Sequence, residues 1–103
     1  MKSKHLTALI TGASSGLGAE FAKQLSKKGY NLILVARRKD KLEELSNELK
    51  RVYDVSPEIL TADLSTYEGM KNVEDYIADL DSLDMLVNNA GFGIPKKFQD
   101  VSL

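Results

Sequence analysis

Thr11-Gly-Ala-Ser-Ser-Gly-Leu-Gly18 is the stretch that decides the fold of this chain. It follows an apolar run at residues 6–10 and precedes a helical pattern that begins near Gly16. A glycine motif between a strand and a helix is the setting in which such motifs bind nucleotides. The first amides of the helix have no partners within it and lie at the positive end of its dipole, where a phosphate is stabilised. The stretch therefore predicts a site for a nucleotide pyrophosphate.

The three glycines of this stretch have separate roles at the junction. Gly12 can adopt backbone angles that are closed to other residues, which lets the chain reverse sharply after the strand. Gly16 leaves the backbone bare where a ligand approaches, and Gly18 allows the helix to pack close to the strand. No Lys-Ser or Lys-Thr pair follows, which argues against a P-loop. A glycine-rich turn that merely joins strand to helix stays open as an alternative.

Composition restricts the class of protein. The 103 residues suffice for one globular domain, residues 1–103, with a formal charge of −1. Because both signs are interspersed, the charge gives no argument for binding nucleic acid or an acidic membrane surface. No apolar run approaches the ~20 residues that span a bilayer. We also predict no metal site. The absence of cysteine excludes disulfides and thiolate chemistry and agrees with a cytoplasmic location.

Strand and helix patterns alternate along the whole chain. Apolar runs predict strands at residues 6–11, 31–36, 58–62 and 84–87. Helical spacing predicts helices from about residue 16, at residues 39–53, and after a cap at Ser65 or Thr66. The buried stripe predicted for the second helix consists of Leu42, Leu45, Leu49 and Val52.

The order βαβαβαβ predicts an α/β fold with a doubly wound parallel sheet. Right-handed crossovers give the strand order 3-2-1-4, with the first two helices on one face and the third on the other. Such sheets bind ligands at the carboxyl ends of the strands, where the strand order reverses. The reversal lies between strands 1 and 4, so we expect the Gly12 loop and the Asn88 loop to meet there.

Three motifs of this sequence resemble those of the short-chain dehydrogenase/reductase family, in the family's order and on the corresponding strands and loops. Residues 11–18 match its TGxxxGxG cofactor loop, and Asn88-Asn-Ala-Gly91 matches its NNAG motif. Asp63-Leu64 resembles the pair that contacts the adenine ring in this family. The resemblance spans essentially the whole chain. It implies a Rossmann domain from an oxidoreductase that transfers hydride between a nicotinamide dinucleotide and a small carbonyl or alcohol substrate.

The resemblance also implies roles for single residues. Ser14 and Ser15 offer hydroxyls and amides to phosphate oxygens. Asp63 accepts a hydrogen bond from the adenine amino group, while the Leu64 amide donates to a ring nitrogen. Residues 89–91 bring bare backbone close to the ribose, and the asparagine-rich turn also braces the sheet. An ordinary turn aspartate stays open as the alternative for Asp63.

The end of the second strand determines the choice of cofactor. An NAD-selective site has an acidic residue there, bonded to both ribose hydroxyls. Here Ala36 is followed by Arg37 and Arg38, and a guanidinium pairs with the 2′-phosphate that a carboxylate would repel. We therefore predict NADP(H), with Arg37 as the main partner and Ser14 close enough to help. The predicted cofactor-binding residues are Gly12, Ser14, Ser15, Gly16, Leu17, Gly18, Arg37, Arg38, Asp63, Leu64, Asn89, Ala90 and Gly91.

The catalytic Ser and Tyr-x-x-x-Lys residues of the family follow the NNAG motif, and this sequence ends at Leu103. We therefore predict no catalytic residue here. We expect the chain to be a cofactor-binding half that ends before the fifth strand and is inactive alone. Tyr67 and Lys71 have the Tyr-x-x-x-Lys spacing, but we place them beside Asp63 on the adenine side, far from the nicotinamide.

Two other functions stay open. One is a non-catalytic nucleotide-binding or interaction module. The other is a different doubly wound protein such as a methyltransferase, against which the NNAG match and the missing acid after the second strand both argue. Without a fifth strand, strand 4 would present unpaired backbone groups, and a third helix alone on its face would leave strands 1 and 4 partly bare. We therefore expect a homo-oligomer.

Overall fold

The structure, a computed structural model, describes residues 6–89. Within this range strands and helices alternate, and every strand boundary lies within one residue of its predicted position. The elements are β1 (Thr7–Thr11), α1 (Gly16–Lys27), β2 (Asn31–Ala36), α2 (Lys39–Tyr53), β3 (Glu58–Thr61), α3 (Tyr67–Ala78) and β4 (Met85–Asn88).

The four strands form one parallel sheet in the order β3-β2-β1-β4, as the crossover rule predicted. Ile10 in β1 stands in register with Leu34 in β2 on one side and with Val87 in β4 on the other. This register brings the carboxyl ends of β1, β2 and β4 to one edge of the sheet. β3 is a short strand at the lateral edge of the sheet, next to β2, and Glu58 and Thr61 at its two ends are exposed.

The two faces of the sheet have separate apolar cores because neighbouring side chains on a strand point in opposite directions. Ala8 and Ile10 pack in a core with α1 and α2. Leu9 packs in a second core with Val73 and Ile77 of α3. The predicted doubly wound arrangement, with two helices on one face and the third on the other, is confirmed.

One face differs from the expectation. Leu9 and Leu86 on the α3 face are only 0% and 4% exposed, so the prediction of a partly bare α3 face was wrong. Two exposed apolar residues lie on α1, where Leu17 is 63% and Phe21 is 40% exposed. They line an open groove of about 600 Å³ together with Met85 of β4. Self-association of the chain stays a prediction.

The stripe predicted for α2 is also one residue too wide. Leu42, Leu45 and Leu49 are buried, but Val52 is 49% exposed. Successive residues on a helix are separated by about 100°, which places Val52 roughly 70° from the centre of the buried face. Ser46 lies nearer to that centre and is buried in its place.

Candidate functional site

The glycine-rich loop closes on itself before α1 begins. Gly12 has a φ of 62°, a left-handed conformation that glycine adopts without strain. The Ser15 amide donates to the Gly12 carbonyl oxygen at 3.1 Å. Ser15 is the N-cap of α1, and its hydroxyl oxygen accepts a hydrogen bond from the Gly18 amide at 3.3 Å. The remaining first-turn amides of α1 therefore lie at the rim of the loop, as phosphate binding requires.

Gly16 and Gly18 occupy different surroundings. A Cβ at position 18 would overlap the Gly12 carbonyl oxygen and lie 2.9 Å from the Cα of Ala13, so Gly18 allows α1 to pack closely against the loop that follows β1. A Cβ at position 16 would meet nothing within 4 Å. Gly16 therefore has open space beside it, as expected where a ligand approaches the backbone.

The end of β4 is bonded to this loop through the side chain of Asn89. The Asn89 amide nitrogen donates to the Ser15 hydroxyl at 2.7 Å and to the Gly12 carbonyl oxygen at 3.1 Å. Ser15 in turn donates its hydroxyl proton to the Gly12 carbonyl oxygen at 2.9 Å. Both donors of Ser15 are thus used within the loop, so the serine hydroxyl with room for a phosphate is that of exposed Ser14.

The preceding asparagine braces the sheet, as the motif implied. The hydroxyl of Thr11, which is buried at the end of β1, donates to the Asn88 side-chain oxygen at 3.0 Å. The ends of β1 and β4 are therefore tied both by their parallel register and by a side-chain bond. The two loops that the topology brings together are fixed relative to one another.

The carboxyl ends of β1, β2 and β3 surround an open pocket of about 320 Å³. Parallel strands end at the same edge of a sheet, so loops that are far apart in sequence contribute to a single site. The pocket is lined by Gly12, Ser14, Ser15, Ala36, Arg37, Ala62, Asp63, Leu64 and Ser65.

Asp63 is held in place by the residue two positions later. Its Oδ1 atom accepts from the Ser65 amide at 2.9 Å and from the Ser65 hydroxyl at 2.6 Å. These two bonds hold the pKa of the Asp63 carboxyl below its usual value, and the positive charge of Arg37 lowers that pKa further. Asp63 is therefore an ionised acceptor at neutral pH. The role of Ser65 was not predicted, although an Asp-x-Ser sequence is typical of such a turn.

The two predicted arginines take different directions. Arg37 lines the pocket, whereas Arg38 does not. The Arg38 guanidinium instead binds the Asp40 carboxylate, with Nη2 to Oδ2 at 2.8 Å and Nε to Oδ1 at 3.3 Å. The hydrogen bonds from Arg38 lower the pKa of the Asp40 carboxyl. The structure thus brings Arg37 to the pocket and leaves Arg38 at the start of α2.

Comparison with known proteins identifies the architecture. A family model described as short chain dehydrogenase matches residues 6–103.

The chain belongs to the short-chain dehydrogenase family.

Individual relatives agree with this family. A very-long-chain 3-oxoacyl-CoA reductase of Podospora anserina is 43% identical over 106 residues, covering 94% of this chain and 30% of the relative. The bulky-bulky ketone specific alcohol dehydrogenase of Comamonas testosteroni superposes with a TM-score of 0.82 at 38% identity, covering 90% of this chain and 37% of that one. A short-chain dehydrogenase of Sphingobium yanoikuyae in complex with NADPH has a TM-score of 0.79 and 40% identity, covering 85% and 34%. The chain spans 24–30% of the length of the curated relatives it matches.

The remaining predicted residues lie at the margins of this short-chain dehydrogenase site. Leu17 follows Gly16 in the first turn of α1 and faces the apolar groove rather than the pocket. Asn89 lies between the two regions, bonded to the loop and lining the groove. Ala90 and Gly91 lie outside the described residues.

Tyr67 and Lys71, which have the spacing of the family's catalytic pair, are both exposed on α3. Tyr67 is 81% exposed at the start of α3, and Lys71 forms an ion pair with Asp75 at 3.6 Å. No cluster of potential metal ligands occurs among residues 6–89. Within the same range, no helix is long and apolar enough to cross a membrane.

Proposed function

We propose that this chain forms the cofactor site of an NADP(H)-dependent oxidoreductase that transfers hydride to or from a carbonyl or alcohol carbon. The carrying observation is the composition of the pocket at the ends of β1, β2 and β3. It contains a phosphate-binding glycine loop and the Arg37 guanidinium, and Ala36 stands where an NAD-selective site has an acid. The nicotinamide of the bound cofactor would supply or accept the hydride.

Different residues of the pocket would bind different parts of the dinucleotide. The first turn of α1 and the hydroxyl of Ser14 would bind the pyrophosphate, because the helix N-terminus is positive and its amides lack partners. The Asp63 carboxylate would accept from the adenine amino group, and the Leu64 amide would donate to the ring. These residues share one pocket with Gly12, so one adenosine and its phosphates can reach all of them.

Selection of NADP(H) would depend on Arg37. Arg37 and Ser14 both line the pocket, and no acidic residue follows β2 before Asp40. Asp40 is itself engaged by Arg38, so its charge is offset. A guanidinium binds a phosphate through two parallel hydrogen bonds, which favours the cofactor that carries a 2′-phosphate. The Sphingobium yanoikuyae relative, solved with NADPH, supports this choice.

The substrate would carry a ketone. Among the matched proteins, one group is named for 3-oxoacyl-CoA reduction and another for bulky ketones. These names have a keto group in common, and the acyl or bulky substituents differ. We therefore propose carbonyl reduction for the intact protein and leave the choice of substituent to substrate screening.

Initial rates of the intact protein test this function. NADPH oxidation is measured with a panel of ketones and 3-oxoacyl thioesters, and again with NADH in its place. We expect turnover with at least one ketone and a higher kcat/KM for NADPH than for NADH. Tight NADPH binding without turnover on any carbonyl would support a non-catalytic nucleotide-binding module instead. Turnover that prefers NADH would contradict the assignment of Arg37.

A further inference from the structure

The first turn of α3 packs directly against the backbone of Asp63 at position 69. A Cβ on Gly69 would overlap the carbonyl oxygen of Asp63, press on its carbonyl carbon and lie 3.0 Å from its amide nitrogen. All three atoms belong to one residue, and all are backbone, so no side-chain rotation can relieve the overlap. Gly69 is buried at this contact.

Hydrogen bonds connect the same two residues through Thr66, the N-cap of α3. The Thr66 hydroxyl donates to the Asp63 carbonyl oxygen at 2.8 Å, and the Thr66 amide donates to it at 3.1 Å. The Gly69 amide donates to the Thr66 hydroxyl at 3.0 Å. Because these bonds are short and local, the first turn of α3 and the Asp63 backbone form one unit.

Local helix preference does not explain a glycine at this position. Glycine within a helix is less stable than alanine by about 1 kcal/mol, because it loses more backbone freedom on folding. Gly69 is in the first turn of α3 and has an ordinary helical φ, so alanine would satisfy the backbone. The close approach of Asp63 is the feature that alanine could not accommodate.

We propose that Gly69 is a positioning residue of the adenine subsite, acting through Asp63. Because Gly69 has no side chain, the first turn of α3 can pack against the Asp63 backbone. This packing fixes the position of the Asp63 carboxylate, which Ser65 orients by its two hydrogen bonds. The inference rests on the proposed function, since it requires adenine to be the group that Asp63 recognises.

Gly69→Ala should therefore displace Asp63 or the first turn of α3. To reach ordinary van der Waals contact, one of them must move by well over an ångström. A hydrogen bond of 2.7–3.2 Å does not survive a misalignment of about that size. The expected loss is recognition of the adenine amino group, with the phosphate contacts at α1 retained.

The test compares NADPH with its hypoxanthine analogue, in which a carbonyl replaces the adenine amino group. Dissociation constants are measured on the intact protein for wild type, Gly69→Ala and Asn72→Ala, an exposed control on the same helix. We expect wild type to bind the analogue about tenfold more weakly than NADPH, as for one lost charge-assisted hydrogen bond. The ratio of the two dissociation constants, analogue over NADPH, should fall to about two in Gly69→Ala and stay near ten in Asn72→Ala.

A general loss of stability weakens both ligands alike and leaves their ratio unchanged, so the ratio isolates positioning. If Gly69→Ala does not fold, Thr66→Val removes the hydroxyl that joins Gly69 to Asp63, and the ratio should fall there and be restored in Thr66→Ser. A wild-type ratio near ten that persists in Gly69→Ala and Thr66→Val overturns the inference alone. A wild-type ratio of one overturns the adenine assignment, and failure of wild type to bind NADPH overturns the proposed function.

Discussion

The side-chain nitrogen of Asn89 donates a 2.7 Å hydrogen bond to the hydroxyl of Ser15, 74 residues earlier in the chain. The same nitrogen donates to the Gly12 carbonyl oxygen at 3.1 Å. Both acceptors belong to the loop that would hold the pyrophosphate. The conformation of that loop is therefore set partly by the residue that follows β4 and not by the glycine motif alone.

Asn89→Asp should disturb the loop while hardly changing the volume of the side chain. A carboxylate offers no donor to the Gly12 carbonyl oxygen and repels it, so two bonds are lost or reversed. We expect the free energy of unfolding to fall by about 1–3 kcal/mol and NADPH binding to weaken by about tenfold. Chemical denaturation and cofactor titration measure the two effects. Asn47→Asp, an exposed site on α2, is the matched control. Equal effects at both positions would contradict a specific role for Asn89.

Gly18→Ala and Gly16→Ala should separate stability from binding. A Cβ at position 18 meets backbone atoms of Gly12 and Ala13, so we expect destabilisation by about 2–3 kcal/mol. A Cβ at position 16 meets nothing within 4 Å, so Gly16→Ala should stabilise the helix by about 0.5–1 kcal/mol. The same methyl group would occupy the approach of the phosphate and weaken NADPH binding. Thermal unfolding with cofactor titration tests both, and a Gly16→Ala variant that binds NADPH normally would contradict the placement of the pyrophosphate.

Tyr76 of α3 provides a pH-dependent test of the α3–β3 contact. Burial and a hydrogen bond to Glu58 raise the pKa of the Tyr76 phenol from 10.0 to about 12. Because the folded value is the higher one, the contribution of Tyr76 to stability is complete below pH ~10 and lost as the pH rises through about 12. The difference in unfolding free energy between wild type and Tyr76→Phe should therefore narrow only in that window.

Glu58→Gln is the companion variant for Tyr76. It removes the charge that opposes the phenolate but leaves burial, which is the larger cause of the raised pKa. The pKa of Tyr76 should therefore decrease in Glu58→Gln without returning to its ordinary value. Absorbance of the tyrosinate reports this directly. A pKa that does not respond to Glu58→Gln would show that the two side chains are not in contact.

The sequence was sufficient for the fold because apolar spacing determines which face of an element is buried. The consecutive residues Leu9 and Ile10 enter different cores, as expected for a strand covered on both sides. The limit of the buried stripe on α2 could be predicted only to within one residue, and Val52, which was predicted to be buried, is exposed. The strand order followed from the handedness of the connections, which does not depend on individual side chains.

The site was predicted less completely because its hydrogen bonds depend on partners that motifs do not contain. The Ser15 hydroxyl oxygen accepts a hydrogen bond from the side chain of Asn89, which reaches the loop only when β4 has paired with β1. Arg38 is engaged by Asp40, although two adjacent arginines look equivalent in the sequence. The close approach of Gly69 to Asp63 could not be predicted, since nothing in the local pattern distinguishes it from a chance glycine.

The ratio of NADPH to NADH affinity in the intact protein tests the central claim most directly, measured for wild type, Arg37→Ala and Arg38→Ala. Each substitution removes one of two guanidinium groups that are neighbours in the sequence, but only Arg37 of the pair lines the pocket. We expect wild type to favour NADPH by about 1–3 kcal/mol, roughly 5- to 150-fold, through a charge-assisted contact with the 2′-phosphate. The preference should be lost in Arg37→Ala and retained in Arg38→Ala. Equal affinities in wild type, or a preference that survives Arg37→Ala, would contradict the assignment of this pocket to NADP(H).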